Sequence, residues 1–142
     1  MDQVAKISFT YLQKIATSEE TIEGKEAFER YALDTGVTIR AYHADNGIFR
    51  ANKWVADCFR KGQPLTFAGV NAHHQNGLAN RRIREIQELA RTMLIHTAKR
   101  WPKCVTTNLW PYVIQMANDV LNKTPRLQDD QRRTPHKRSP KP

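Results

Sequence analysis

Apolar positions change their period several times along the chain. Ile7, Phe9 and Tyr11 alternate with Ser8 and Thr10 in a β-branched and aromatic stretch, which predicts a strand over 7–12. Thr17 followed three residues later by Glu20 has the pattern of a capping box. The helix it opens carries Ile22, Ala27, Phe28, Tyr31 and Ala32 at helical spacing, with Gly36 as its stop. Val37, Ile39 and Ala41 share one face of a second strand over 37–44, which Asn46-Gly47 ends as a turn. A short helix over about 51–61 directs Trp54, Val55, Cys58 and Phe59 inward, and Gly62 ends it. Residues 64–67 read as a short strand and 69–77 as a polar loop.

From Leu78 the period becomes 3.6. Ile83, Ile86, Leu89 or Ala90, Met93 and Ala98 form a stripe, with Arg81, Arg82, Arg84, Glu85 and Glu88 mostly off it. This long helix ends at Trp101-Pro102. A last helix, with Pro111 in its first turn, runs from about 108 to 122 and places Leu109, Val113, Met116, Ala117, Val120 and Leu121 on its apolar side. Trp54, Trp101 and Trp110 all sit at helical positions and are expected in the core. Beyond Thr124 come four prolines among many charges and almost nothing apolar, the composition of a disordered tail. Alternating strands and helices give an α/β class with a small mixed sheet, and the segment before Ile7 leaves room only for a truncated N-terminal strand.

At 142 residues the chain is one domain's worth of sequence. No apolar run approaches the roughly 20 residues of a membrane helix, and the start lacks a signal-peptide pattern, so no membrane partner is expected. Cys58 and Cys104 stand alone, which argues against a disulfide scaffold or a zinc module. The net charge of +9 is unevenly placed. Residues 81–100 hold six basic side chains against two acidic ones, residues 123–142 seven against two, and the rest balances at ten each. A neutral body with two basic zones suits a polyanion, most often nucleic acid; solubility and a solvated tail are the plainer account.

Three positions carry candidate chemistry. Asp45 closes a strand beside a tight turn, where a carboxylate can project into a cleft, although an Asp there also simply initiates turns. Asp2 stands just ahead of another strand, and alone it reads as a solvated terminus. Asn76-Gly77, just ahead of Asn80, marks a loop-to-helix junction. His43 shares a strand face with Asp45, so it either lines the same place or packs structurally.

Taken together these segments resemble a known family. Tyr42-His43-Ala44-Asp45-Asn46-Gly47-Ile48-Phe49 is similar to the "(S/A)DNGxF" segment of retrotransposon integrases, and residues 69–79, GVNAHHQNGLA, look like the loop before their catalytic helix. Ala90-Arg91-Thr92-Met93-Leu94 matches the continuation of that helix. Leu109-Trp110-Pro111-Tyr112, Ala117-Asn118 and Asn122-Lys123-Thr124-Pro125 resemble the next one. Asp2-Gln3 before Ile7-Ser8-Phe9 resembles the strand that carries the family's first aspartate. The likeness is to the integrase catalytic core of Copia-type long-terminal-repeat retrotransposons, within the retroviral integrase superfamily; it covers about residues 2–125 and implies a partial core-like domain over 1–125, with 126–142 as the basic Pro-rich tail.

The resemblance implies a ribonuclease-H-like fold, DNA as substrate, no small-molecule substrate, possible homo-oligomers, and integration by phosphoryl transfer at Mg²⁺ or Mn²⁺. Two cations can stabilise the attacking and leaving oxygens of an in-line displacement, and they favour anionic oxygen ligands. Asp2 and Asp45 take the positions of two metal-binding, catalytic carboxylates. The family's third, a Glu, is here Asn80, in Leu78-Ala79-Asn80-Arg81. A neutral carboxamide leaves the site one negative charge short, and Glu85, about 140° around the helix, is on the wrong face to replace it. The resemblance further implies phosphate contacts from Arg81, Arg82 and Arg84 and from the loop residues His73, His74 and Gln75, against a solvated helix face paired with Glu85 and Glu88. No His/His/Cys/Cys zinc module precedes the core and no recognisable DNA-binding domain follows it, so the expectation is a piece of a polyprotein gene or a decayed copy. Arg132-Arg133 and Lys137-Arg138 suit nuclear import or DNA contact, or are a leftover tail. Three classes follow: an integrase-type core impaired at Asn80, a non-catalytic DNA-binding remnant, and a self-association module built on residues 109–121.

Overall fold

Thr17, the residue that opens the first helix, can satisfy a free helix end. In the computed structural model, which describes residues 7–69 and 77–124, α1 spans Ser18–Asp34 and the Thr17 hydroxyl accepts from the Glu20 N–H at 3.3 Å. The reciprocal half of the capping box is not made. Glu20 instead accepts from the N–H groups of Lys14 (2.7 Å) and Ile15 (3.4 Å), fastening the segment ahead of the helix. Gly36, at φ 79°, closes the other end, with the Val37 N–H reaching back to the Ala32 carbonyl at 2.9 Å. Asp2, His73, His74, Gln75 and the tail after Thr124 lie outside the described residues.

Strand β1 (Tyr42–Ala44), a 3-10 turn (Ile48–Arg50), helix α2 (Asn52–Arg60) and strand β2 (Leu65–Phe67) follow. Together with α1 they form a compact unit over residues 11–69. The strands pair in parallel with Tyr42 opposite Leu65, His43 opposite Thr66 and Ala44 opposite Phe67. Two expected strands are shorter or absent. Residues 37–41 do not join the ladder, because the register puts Pro64, which has no N–H, opposite Ala41. Residues 7–12 form no strand at all. The described residues thus make a helix-rich α/β structure with one two-stranded parallel sheet.

A buried ammonium organises this unit. Lys25, on the inner face of α1, has a fully buried side chain. Its Nζ donates to Glu29 Oε1 (2.8 Å), Asp57 Oδ2 (2.8 Å) and Gln63 Oε1 (2.7 Å) and lies 5.1 Å from the Tyr42 ring centroid. Glu29 Oε1 in turn accepts from Tyr42 Oη (2.9 Å) and Gln63 Nε2 (2.9 Å). Trp54 closes the cluster, edge-on to Tyr42 and to Phe49. Phe59, expected inward, is 87% exposed, and Val55 is also exposed. Asp57 takes the buried face of α2 instead, because the ammonium there needs an anion.

The second compact unit combines residues 7–10 with 78–124. Helix α3 spans Gly77–Arg100, and after a 3-10 turn (Thr107–Leu109) helix α4 runs Trp110–Lys123 with Pro111 in its first turn. Fully buried Ala90 and Ala117 bring the helices together with Ile86, and Leu89, Met93, Val113, Ile114 and Leu121 fill around them. Ile83 and Met116, expected on the apolar stripes, are exposed, as are Trp101 and Trp110; Trp101 lies beneath the Arg100 guanidinium.

Residues 7–10 cross this helix pair as irregular backbone, and carboxamides do the work of a neighbouring strand. Asn122 donates from Nδ2 to the Ser8 carbonyl (2.8 Å) and accepts the Ser8 N–H at Oδ1 (3.1 Å). Asn118 Nδ2 donates to the same carbonyl (3.1 Å), and its Oδ1 accepts from the Ser8 hydroxyl (2.5 Å). With the polar groups of Ser8 met by side chains, the segment needs no ladder.

The ion cluster sets an acid limit on stability. Burial raises the Glu29 carboxyl, but hydrogen bonds from Lys25, Gln63, Lys61 and Tyr42 outweigh it and hold it at about 2, below its ordinary 4.5. Burial acts likewise on Asp57, where Lys25 and Arg60 prevail and hold it at about 2, below 3.8. Both carboxyls bind protons more readily when unfolded, so their contribution is complete above about pH 5 and disappears as pH falls towards 2. Urea unfolding followed by circular dichroism should give a stability level from pH 7 to 5 that declines below it. Lys25→Met, which leaves buried carboxylates short of a cation, should cost about 3–5 kcal/mol at pH 7 and flatten that decline.

Candidate functional site

The C-terminal edge of the parallel pair places Asp45. The last ladder bond runs from the Ala68 N–H to the Ala44 carbonyl (3.0 Å), and Asn46 adds one more rung with its side chain, Nδ2 donating to the Ala68 carbonyl at 2.6 Å. Between these two fastened residues Asp45 is exposed, and its Oδ1 accepts from the Asn46 N–H at 2.8 Å. Two residues on, a Cβ built on Gly47 would meet nothing within 4 Å among the described residues.

Upstream, alternation along β1 separates two jobs. Tyr42 and Ala44 face inward, and Tyr42 is fixed by Glu29 and Trp54. Its hydroxyl is held protonated, first by burial and then by the bond to Glu29. His43 is exposed on the Asp45 face, with Nδ1 2.9 Å from the Thr66 hydroxyl of the facing strand. Cys58 is 1% exposed and burial pushes its thiol up, so it is not an accessible thiolate. The charged cluster around Lys25 thus anchors the strand that presents Asp45, a positioning role that the sequence reading missed. The i, i+4 pair Lys25 and Glu29 was legible; Asp57, distant in sequence, was not.

In the other unit Asn80 lies exposed in the first turn of α3, beside exposed Arg81 and, one turn on, exposed Arg84. Arg82, expected on the solvent side, is 2% exposed. Its Nε donates to Ser8 Oγ (2.8 Å), one terminal nitrogen to Asn122 Oδ1 (2.8 Å), and the other pairs with Glu85 (3.3 Å). The reason is its place in the period: four residues before Ile86 and eight before Ala90, Arg82 belongs to the buried face. Asn118 and Asn122, one helical turn apart, are the other structural residues not foreseen.

Among the described residues no three His, Cys, Asp or Glu side chains gather as a metal-binding set. Asp45 offers a hard anionic oxygen and Asn80 a hard neutral one, each within its own unit. That chemistry suits Mg²⁺ or Mn²⁺ in kind.

No family profile and no curated protein matches the chain. Solved structures do. The HTLV-2 integrase catalytic core domain in complex with magnesium, in its trimeric form, matches with a TM-score of 0.69 at 19% identity, over 97% of this chain and 80% of that one. Its dimeric form matches at 0.56 and 22% identity, over 87% and 72%. A chain of the simian T-cell lymphotropic virus intasome in complex with the PP2A regulatory subunit B56 gamma matches at 0.62 and 17% identity, over 92% of this chain and 42% of that one. The chain has the fold of a retroviral integrase catalytic core.

The orphaned oxygen of Asn46 gives a stability test. Among the described residues Asn46 Oδ1 is buried without a hydrogen-bond partner, so Asn46→Ala loses one rung but also removes an unsatisfied acceptor, for a net cost of about 1 kcal/mol. Asn46→Asp would set a carboxylate against the Ala68 carbonyl and should cost about 3 kcal/mol or more. Chemical denaturation of the two variants should rank Asp well below Ala; equal losses would refute the assignment.

Proposed function

We propose that this chain is an integrase-type catalytic core that binds DNA, and that substitution at Asn80 has impaired its phosphoryl-transfer step. The observation that carries the reading is the fold likeness, which runs over nearly the whole chain; the exposed carboxylate of Asp45, one residue past the end of a parallel strand, supports it. The "DNG" run at Asp45 and the segments around Ala90 and Leu109 support a Copia-type retrotransposon origin, a core over residues 1–125 with a mixed ribonuclease-H-like sheet, and a basic tail.

In this reading Asp2 and Asp45 are the carboxylates for Mg²⁺ or Mn²⁺, which would supply charge stabilisation at the phosphodiester. The donor chemistry fits a hard cation, and the HTLV-2 core was solved with magnesium. The charge does not fit a pair of cations, because Asn80 contributes no anion to offset their mutual repulsion. Arg81 and Arg84, with His73, His74 and Gln75, contact phosphates. Arg82 instead holds residue 8 against α4.

The test is a Mn²⁺-dependent strand-transfer and disintegration assay on the purified chain beside Asn80→Glu. Joining by the variant and little or none by the parent is expected. A fully active parent overturns the impairment; a folded variant as inert as the parent favours the non-catalytic DNA-binding remnant.

One observation favours self-association as an added property. Tyr112, Met116 and Val120, at i, i+4 and i+8, leave an apolar stripe exposed on α4, and the HTLV-2 core occurs in dimeric and trimeric forms. A second copy of this chain is the occupant that the reading assigns. Light scattering should give an oligomer for the parent and a monomer for Met116→Glu with unchanged helicity; a monomeric parent would remove the property.

A further inference from the structure

Helix α3 carries more basic residues on its solvent side than the two beside Asn80. At about 100° per residue, Arg81, Arg84, Arg91 and Lys99 fall within about 80° of arc, opposite the face formed by Ile86, Leu89, Ala90 and Met93. All four are exposed. Among the described residues none of them is ion-paired. Glu88 is the only acid within that arc, and it too makes no ion pair among those residues.

The stripe is long, with a close pair at Arg81 and Arg84 and wider intervals beyond them. From Arg81 to Lys99 the helix rises about 27 Å; Arg84 and Arg91 are separated by about 10.5 Å and Arg91 and Lys99 by about 12 Å along the axis. Those intervals are close to the width of about 12 Å of a major groove in duplex DNA. A solvated helix face usually mixes both signs, so that its cations have partners one turn away. Here the cations outnumber the acids by four to one and repel one another mildly in the absence of a polyanion.

We infer that the C-terminal half of α3, through Arg91 and Lys99, is a backbone-contacting surface for a nucleic-acid duplex, extending the contact of Arg81 and Arg84 by two phosphate positions on opposite walls of a groove. The inference rests on the proposed DNA-binding role and goes beyond it, because it assigns residues remote from Asn80 and Asp45. The contact is sequence-independent, since long cationic side chains at these intervals meet phosphates and not base edges.

The experiment measures binding of the full chain to a fluorescent 30-base-pair duplex across a salt series, for the parent, Arg91→Gln/Lys99→Gln, and a control with the same charge change in the other unit, Arg30→Gln/Arg40→Gln. Each lost phosphate contact removes about 0.9 from the slope of log K against log salt, so the α3 double variant should lower it by about 1.8 and the control should not. Circular dichroism and the salt-independent melting temperature confirm that both variants are folded. A parent that does not bind the duplex defeats the DNA-binding proposal itself. A parent that binds, with an unchanged slope in the α3 variant or an equal drop in the control, overturns this inference alone. So does stronger binding of the parent to vesicles of phosphatidylserine than to the duplex.

Discussion

The ammonium of Lys25 is the constraint on which the sheet-bearing unit depends. A cation with a fully buried side chain is tolerable only with anions and further acceptors around it. Glu29, Asp57 and Gln63 supply them from α1, α2 and the turn before β2. Each acceptor must therefore come to one point, and that requirement sets where the two helices meet and where the chain enters β2. Tyr42 joins the same cluster through Glu29, so β1 is placed by charge as well as by its three ladder partners. Asp45 inherits its position from that arrangement, three residues beyond Tyr42. Apolar packing alone would define this less sharply, because the unit buries few large side chains besides Trp54.

The helical unit solves a related problem with neutral groups. An irregular segment across two helices would leave backbone groups unsatisfied, and Asn118 and Asn122 answer both polar groups of Ser8 while Arg82 braces the pair. Carboxamides suit the task because each offers a donor and an acceptor at once, as a peptide group does. Arg82 stacks three roles on one guanidinium, bonding to Ser8, Asn122 and Glu85, which is chemistry a lysine could not reproduce with a single point charge.

Legibility in the sequence followed the range of the interactions. The four helices were readable because their signals are local: Thr17 at a cap, Gly36 and Gly62 in the left-handed region at helix ends, Pro111 in a first turn, and a sustained 3.6 period in α3. Asp45 was readable for the same reason, since strand, acid and turn are neighbours. Strands fared worse. Ile7 to Leu12 has strand composition, yet strand formation needs a partner, and here side chains from more than a hundred residues away take the hydrogen bonds. Phe59 and Met116 were assigned inward by hydrophobicity although the chain buries Asp57 and Asn118 on those helices instead. A buried polar residue is chosen by a partner distant in sequence, and period alone cannot see it. Arg82 is the exception: its position four residues before Ile86 already marked it as buried, and its charge concealed that.

The same physics separates binding from chemistry in the proposed function. A carboxylate at the start of α3 has two effects on a polyanion: it attracts the cations that catalysis needs and, without them, repels phosphate. On the proposed reading, the carboxamide of Asn80 stands in place of that charge and removes both. At an effective dielectric of about 20, two unit charges about 4 Å apart interact by on the order of 4 kcal/mol, so on the proposed reading one missing anion makes a pair of cations harder to hold. Along α3 the loss acts in the other direction. Exposed Arg81 sits next to Asn80 with no acid among the described residues to neutralise it, and the helix becomes more uniformly basic toward its N-terminus. Salt-dependent attraction to a duplex depends on how many phosphates are neutralised, not on the catalytic carboxylates. On the proposed reading, a core altered in this way would lose phosphoryl transfer first and its hold on nucleic acid last, because the two functions draw on charges of opposite sign.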